Sequence, residues 1–144
     1  MRLSLTPSID PTDYSFAHSI RTRFAETDAM GIIHHGAYLP YLEEARVALL
    51  RHVGHPYDLV RDEGIDFSVL EVYVSYRRPL RFDEVVDVHV ALGGLTRTTF
   101  QLGYLVAVAG EARATAATVH AAVDAEGRAH RMPRWLGALI EPVA

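Results

Sequence analysis

From Thr27 to Tyr38 the chain reads TDAMGIIHHGAY, which places an aspartate, two glycines and a histidine pair directly ahead of a helical pattern. A helix start offers amide hydrogens with no intrahelical acceptor, and the aligned peptide dipoles add about half a positive charge there. His35 and Gly36 fall where such a donor belongs, and glycine lets a ligand approach the backbone without a Cβ in the way. A carbonyl lodged against that amide is polarised, and one donor of this kind is worth about 3 kcal/mol in a transition state. Asp28 lies seven residues before His35, and a free carboxylate there can attack an acyl carbon or deprotonate a water.

The same residues also have plain structural uses. Asp28 can cap a turn, and the histidine pair can be a polar turn with satisfied hydrogen bonds. Adjacent histidines in an extended chain do not face one point, so His34 and His35 make a poor metal site by themselves. Glu43 and Glu44 lie in the second turn of the helix, where the dipole favours acids, and Glu43 is spaced i,i+3 from Arg46 for an ion pair. The chain contains no Gly-x-Ser-x-Gly, phosphate-loop glycine pattern, His-Glu-x-x-His or Gly-x-Gly-x-x-Gly.

The elements that must position these groups follow from periodicity. In FAHSIRTRF, Phe16, Ile20 and Phe24 share one parity while Arg21 and Arg23 take the other, which predicts a half-buried strand. From Ala37 to Val53 the apolar positions Tyr38, Leu42, Ala45, Leu49 and Val53 recur at helical steps, predicting a helix of roughly 25 Å. Pro40 falls in its first turn, where proline is tolerated, and Gly54 supplies a stop. After a connecting segment, DFSVLEVYVSYRRPL reads as a long strand. EVVDVHVAL then turns at Gly93 and Gly94 into TRTTFQLGYLVAVA, and that run turns at Gly110 into EARATAATVHAAVD. MPRWLGALIEPVA reads as a short terminal helix, and residues 1–14, with Pro7, Asp10, Pro11 and Asp13, as an irregular lead-in with order beginning near Tyr14. Strand, helix, then four strands joined mostly by hairpins is an α+β order: a five-stranded antiparallel sheet wrapped around one long central helix. The small residues Ala112, Ala114, Ala116 and Ala117 of the last strand allow close approach of the helix or of a second subunit.

Bulk composition narrows the function classes. A chain of 144 residues with 49% hydrophobic and 22% charged residues fits one globular domain spanning 1–144. The net charge of -4 gives no concentrated basic face, which argues against a nucleic-acid partner. There is no cysteine, so disulfides, thiolate metal sites and cysteine nucleophiles are excluded. All 14 basic residues are arginine, which removes lysine chemistry as well. No stretch approaches the ~18 apolar residues of a membrane span, and proline and aspartate interrupt the start before any leader-length apolar run, so the cytoplasm is the expected location.

TDAMGIIHHGAYLPYLEEAR resembles the signature of the 4-hydroxybenzoyl-CoA thioesterase family of hot-dog proteins, including the acyl-CoA thioesterases associated with the Tol-Pal system. YRRPLRFDE resembles that family's strand-to-strand corner and GRAHRMP its closing segment, so the likeness runs over most of residues 16–136. The resemblance implies the hot-dog fold and hydrolysis of acyl-CoA thioesters, with no metal or prosthetic group. It implies that Asp28 is the catalytic carboxylate, as nucleophile or general base, and that His35 gives its backbone amide to the thioester carbonyl, with a contribution from its side chain. Gly31, Gly36 and Tyr38 complete the matching loop as substrate-binding positions. A more distant branch carries its carboxylate on the helix at the position of Glu43, which makes Glu43 the rival to Asp28. Phe24 stands where several relatives carry tyrosine. The resemblance further implies a homo-oligomer, a dimer or a dimer of dimers, with sheets joined edge to edge and sites at the subunit interface. Arg77, Arg78 and Arg97 are candidates to meet CoA phosphates, or simply solvated strand-edge arginines.

Overall fold

The computed structural model describes residues 1–140. The alternating segment after Phe16 forms β1 (Ala17–Arg21), and the helical stripe forms α1 (Tyr38–His52), preceded by a single 3-10 turn at His35–Ala37. A short helix, α2 (Tyr57–Asp62), leads into β2 (Asp66–Tyr76), and three further strands follow: β3 (Val85–Leu95), β4 (Thr99–Val108) and β5 (Glu111–Val123). The strands make one antiparallel sheet in the order β1-β3-β4-β5-β2, which leaves β1 and β2 as its edges.

Strand alternation sends one set of side chains toward α1. Val86, Val88, Val90 and Leu92 of β3 and Phe100, Leu102, Tyr104 and Val106 of β4 meet Tyr38, Tyr41, Leu42, Ala45 and Leu49 of the helix. Ala114 and Ala116 of β5 join the same core, and their small side chains let the helix lie close to the sheet. Leu42 and Ala45 retain 1% and 0% of their exposure, and burying a leucine side chain is worth about 1.5–3 kcal/mol. This core, and not helix propensity, holds a 15-residue helix over the sheet.

The other face of the sheet carries the second alanine set. Ala91, Leu105 and Ala107 are buried there with Tyr14, and Leu5 and Ala112 pack against them. The N-terminal segment lies across this face. Glu71 accepts from the amides of Arg2 (2.7 Å) and Leu3 (3.2 Å), and Gln101 Oε1 accepts from those of Ser4 (3.0 Å) and Leu5 (3.1 Å). The lead-in is therefore irregular in conformation, as its prolines dictate, but ordered well before Tyr14.

Two expectations are corrected and two are made specific. β1 ends at Arg21, so Phe24 does not continue its inward parity; it stands 74% exposed in a 3-10 turn, edge-on to Phe82. Gly93 and Gly94 lie within β3, where the register shifts between Leu92 and Gly94, and the reversal falls at residues 96–98. The connecting segment contains α2, too short to show a helical period. The short terminal helix is a 3-10 segment, Arg134–Leu139, and the end of that stretch, 141–144, lies outside the described residues. The Gly110 turn is as expected: Ala109 and Gly110 both take positive φ (49° and 82°), the type I′ geometry that matches strand twist. Among the described residues no helix is long and apolar enough to cross a membrane.

Candidate active site

The loop between β1 and α1 is pinned from several sides. Asp28 N donates to Ile32 O at 2.8 Å and Gly31 N to Asp28 O at 3.0 Å, a tight turn closed by Gly31 at φ +78°, where a side chain would be strained. Ile33 N donates to Leu80 O (2.8 Å) and His34 N to Glu26 O (2.7 Å). Burial raises the Glu26 pKa, but bonds from Tyr41 Oη, the Arg23 amide and the Arg23 guanidinium outweigh it and hold the carboxyl below its ordinary value. Glu26 is thus a structural anion tying the loop to α1.

The loop opens on a cleft of about 320 Å³ whose lining includes Asp28, His35, Tyr38, Tyr76, Arg77 and Arg78. Its far wall is the corner after β2, and that corner has its own clamp. Arg113 donates to Pro79 O at 2.8 Å and grips both oxygens of Glu84 at 3.0 Å. The guanidinium so close to Glu84 lowers its pKa, and the pair is largely buried. A second hollow, of about 50 Å³, lies under the C-terminal half of α1 against Leu49, Phe67, Phe100 and His120; it is nearly all apolar, and among the described residues no carboxylate lines it.

Asp28 divides its two oxygens. Oδ1 accepts from Met30 N at 2.9 Å and from Ile32 N at 3.4 Å, so the turn-capping use is real. Oδ2 has no hydrogen-bond partner among the described residues, and the side chain lines the cleft. One oxygen holds the residue still and the other is available for chemistry.

The amides of the helix mouth are similarly sorted. Gly36 N donates to His34 Nδ1 at 3.0 Å, Ala37 N to His34 O at 2.9 Å, and Tyr38 N to Gly36 O. The amide of Gly36 is therefore committed to the protein. That of His35 makes no hydrogen bond to the described residues, and His35 lines the cleft. Gly36 is needed for a different reason from open access: a Cβ there would meet His34 Nδ1 at 3.1 Å and Cε1 at 3.3 Å. The two imidazoles do not diverge, because the chain turns here and is not extended; their ring centroids are 4.1 Å apart.

Tyr38 is buried and packs edge-on against Tyr76, whose hydroxyl donates to His35 O at 2.9 Å. Nothing in the sequence singled out Tyr76: it is one of several aromatics in β2, and its contact spans 41 residues. Gly31 serves the Asp28 turn and does not line the cleft. Glu43 is not brought to the cleft either. Its side chain is 70% exposed, 3.7 Å from Arg46, on a separate groove between α1 and β2. Glu44 instead meets His18 of β1 at 2.7 Å. Of the three candidate arginines, Arg77 and Arg78 line the cleft, while Arg97 lies in the β3–β4 reversal.

Residues 22–140 match the family model of the thioesterase-like superfamily. The chain belongs to that superfamily. Relatives include the "Putative esterase" of Aquifex aeolicus, 44% identical over 108 residues that cover 75% of this chain and 84% of that one. They also include the "Putative acyl-CoA thioesterase YneP" of Bacillus subtilis, 34% identical over 108 residues that cover 74% and 78%. A crystal structure of an Aquifex aeolicus protein, AQ1494, superposes with a TM-score of 0.82 at 39% identity, covering 88% of this chain and 99% of that one. The five-stranded sheet and long helix are thus the hot-dog architecture, and the matched superfamily together with these relatives supports a thioester hydrolase.

Proposed function

We propose that the protein hydrolyses acyl-CoA thioesters, of small aromatic or fatty acyl groups, in the cleft between the helix mouth and the corner after β2. The observation that carries this reading is the pairing of one uncommitted carboxylate oxygen, Asp28 Oδ2, with one uncommitted helix-mouth amide, His35 N–H, on the same cleft. The thioester carbonyl oxygen accepts from the His35 amide, which stabilises the negative charge that develops as the carbon becomes tetrahedral. The Asp28 carboxylate takes a proton from water as the hydroxide adds, or itself adds to the carbonyl carbon. In the general-base route collapse breaks the carbon–sulfur bond, and the thiolate takes the proton that Asp28 removed from water. In the nucleophilic route the same bond breaks to leave a mixed anhydride on Asp28, which water then hydrolyses to the free acid and the Asp28 carboxylate, releasing a proton to the thiolate. Arg77 and Arg78 at the rim suit the phosphates of CoA. Relatives named for esterase and acyl-CoA thioesterase activity support the substrate class.

The working form in this reading is a dimer joined through β2. That strand is an unpaired sheet edge bearing exposed Val69, Leu70, Val72, Tyr73 and Tyr76, and such an edge invites pairing with a second copy.

The test is steady-state hydrolysis of a panel of aliphatic and aromatic acyl-CoAs. Asp28→Asn keeps the shape and the Oδ1 cap while removing the anion, so kcat should fall by about 10³ or more with unchanged melting temperature. A fully active Asp28→Asn protein ends the assignment. A wild-type protein that binds the panel saturably without turnover would instead be an acyl-CoA binding module.

A further inference from the structure

We propose that Tyr76 and His34 are positioning residues that grip the two ends of one peptide unit and thereby aim the neighbouring amide at the substrate. The inference rests on the thioesterase reading of the cleft and adds the device that keeps its donor in place. The unit is the peptide between His35 and Gly36. Its carbonyl oxygen accepts from Tyr76 Oη at 2.9 Å, and its amide donates to His34 Nδ1 at 3.0 Å. With both ends held, the dihedral angles on either side of that unit are fixed, and these set the orientation of the adjacent peptide that carries His35 N–H.

Two further features make this a clamp and not a pair of incidental contacts. The ring of His34 lies so close to Gly36 that a Cβ would meet it at 3.1 Å, so the sequence leaves Gly36 bare to seat the imidazole. The phenol of Tyr76 is a donor at neutral pH, and the edge-on contact with buried Tyr38 at 4.9 Å fixes its ring. The charge-stabilising amide is useful only if it needs no reorganisation when the tetrahedral intermediate forms. A 3-10 turn ahead of a helix is a mobile place for such a donor unless something outside the turn holds it. Here the holder comes from the far end of β2.

His34 acts as the acceptor two residues before the amide it caps. Asparagine places its Oδ1 where histidine has Nδ1 and makes the same i to i+2 bond. This gives a conservative variant that separates the hydrogen bond from the imidazole itself.

The experiment measures kcat and KM on the best acyl-CoA of the panel for wild type, Tyr76→Phe, His34→Ala, His34→Asn, the Tyr76→Phe/His34→Ala double variant and Asp28→Asn. Tyr76→Phe and His34→Ala should each lower kcat on the order of tenfold, less than the ~10²–10³ lost when such a donor is removed outright, with KM within about threefold. His34→Asn should restore most of the activity. Because both side chains restrain one peptide, the double variant should be little worse than the poorer single variant. Full activity of Tyr76→Phe and His34→Ala beside an inactive Asp28→Asn overturns the clamp and leaves the thioesterase reading standing. An active Asp28→Asn removes that reading, and the clamp with it. A Tyr76→Phe protein that raises KM at constant kcat makes Tyr76 a substrate contact, and strictly multiplicative losses in the double variant mean two independent roles; either result also overturns the proposal.

Discussion

A carboxylate does chemistry only with the lone pairs its own fold leaves unused. Asp28 keeps one oxygen on the amides of Met30 and Ile32 and the other uncommitted, whereas Glu26 spends its oxygens on Tyr41 and Arg23, and Glu84 on Arg113. Glu43 differs in the opposite way: its side chain is exposed, 3.7 Å from Arg46, and lines another groove. Glu43→Gln should therefore retain wild-type kcat within about twofold, since exposed pairs of this kind contribute little; a loss comparable to that of Asp28→Asn would move the chemistry to α1. Asp28 and His35 stand out as candidates in the sequence because a carboxylate and a helix mouth advertise their chemistry by residue type and spacing, and both line the cleft. Which helix-mouth amide stays free was not legible. That depends on the His34 ring turning back onto Gly36 and on Tyr76 arriving from 41 residues away, neither of which any local pattern records.

At the scale of elements, α1 and the strand-rich second half could be read directly, because a continuous apolar stripe and β-branched alternation each have one low-energy solution. The departures share a cause: glycine signals a turn by composition, yet at Gly93 and Gly94 the chain uses it inside β3 at a register shift, and the apolar parity runs on past Arg21 although the ladder ends there. What periodicity leaves open is which strand is an edge, since that is topology. β2 follows the helix in sequence yet among the described residues pairs only with β5, so one side of its backbone has no partner strand there while apolar side chains stand exposed along it. A lysine on such an edge is how proteins block strand addition. Val72→Lys, near the middle of β2, should shift the sedimenting species from twice the 16.0 kDa chain mass to the chain mass itself at micromolar concentration. Unchanged sedimentation at the doubled mass would place the interface elsewhere, and a wild-type chain that sediments singly would remove the dimer from the reading.

At the scale of the whole molecule, a buried titratable chain unrelated to the cleft makes stability depend on pH. Tyr104 Oη, Thr118 Oγ1 and His120 Nε2 form a buried row at 2.8 and 2.7 Å between sheet and helix. Burial, assisted by the charge of Arg46, pushes the His120 pKa down to about 3, so the folded protein holds this imidazole neutral. The unfolded chain takes up a proton near pH 6.5 and the folded chain does not until about pH 3. Between those values the unfolded state binds more protons, so stability falls as pH falls, by about 1.4 kcal/mol per pH unit, and is unaffected above the upper limit. The lowered carboxyls of Glu26 and Glu84 act only below their ordinary value of 4.5, outside the upper part of this window. His89, also lowered by burial beneath the N-terminal segment, titrates in the same direction but is common to any variant at position 120. His120→Gln retains a group able to reach Thr118 and cannot titrate. Urea unfolding at pH 7.5 and pH 5.0 should then show wild type losing about 2 kcal/mol more than His120→Gln across that interval. Equal losses in the two proteins would mean that His120 protonates in the folded state, and that the row beneath the helix is open to water.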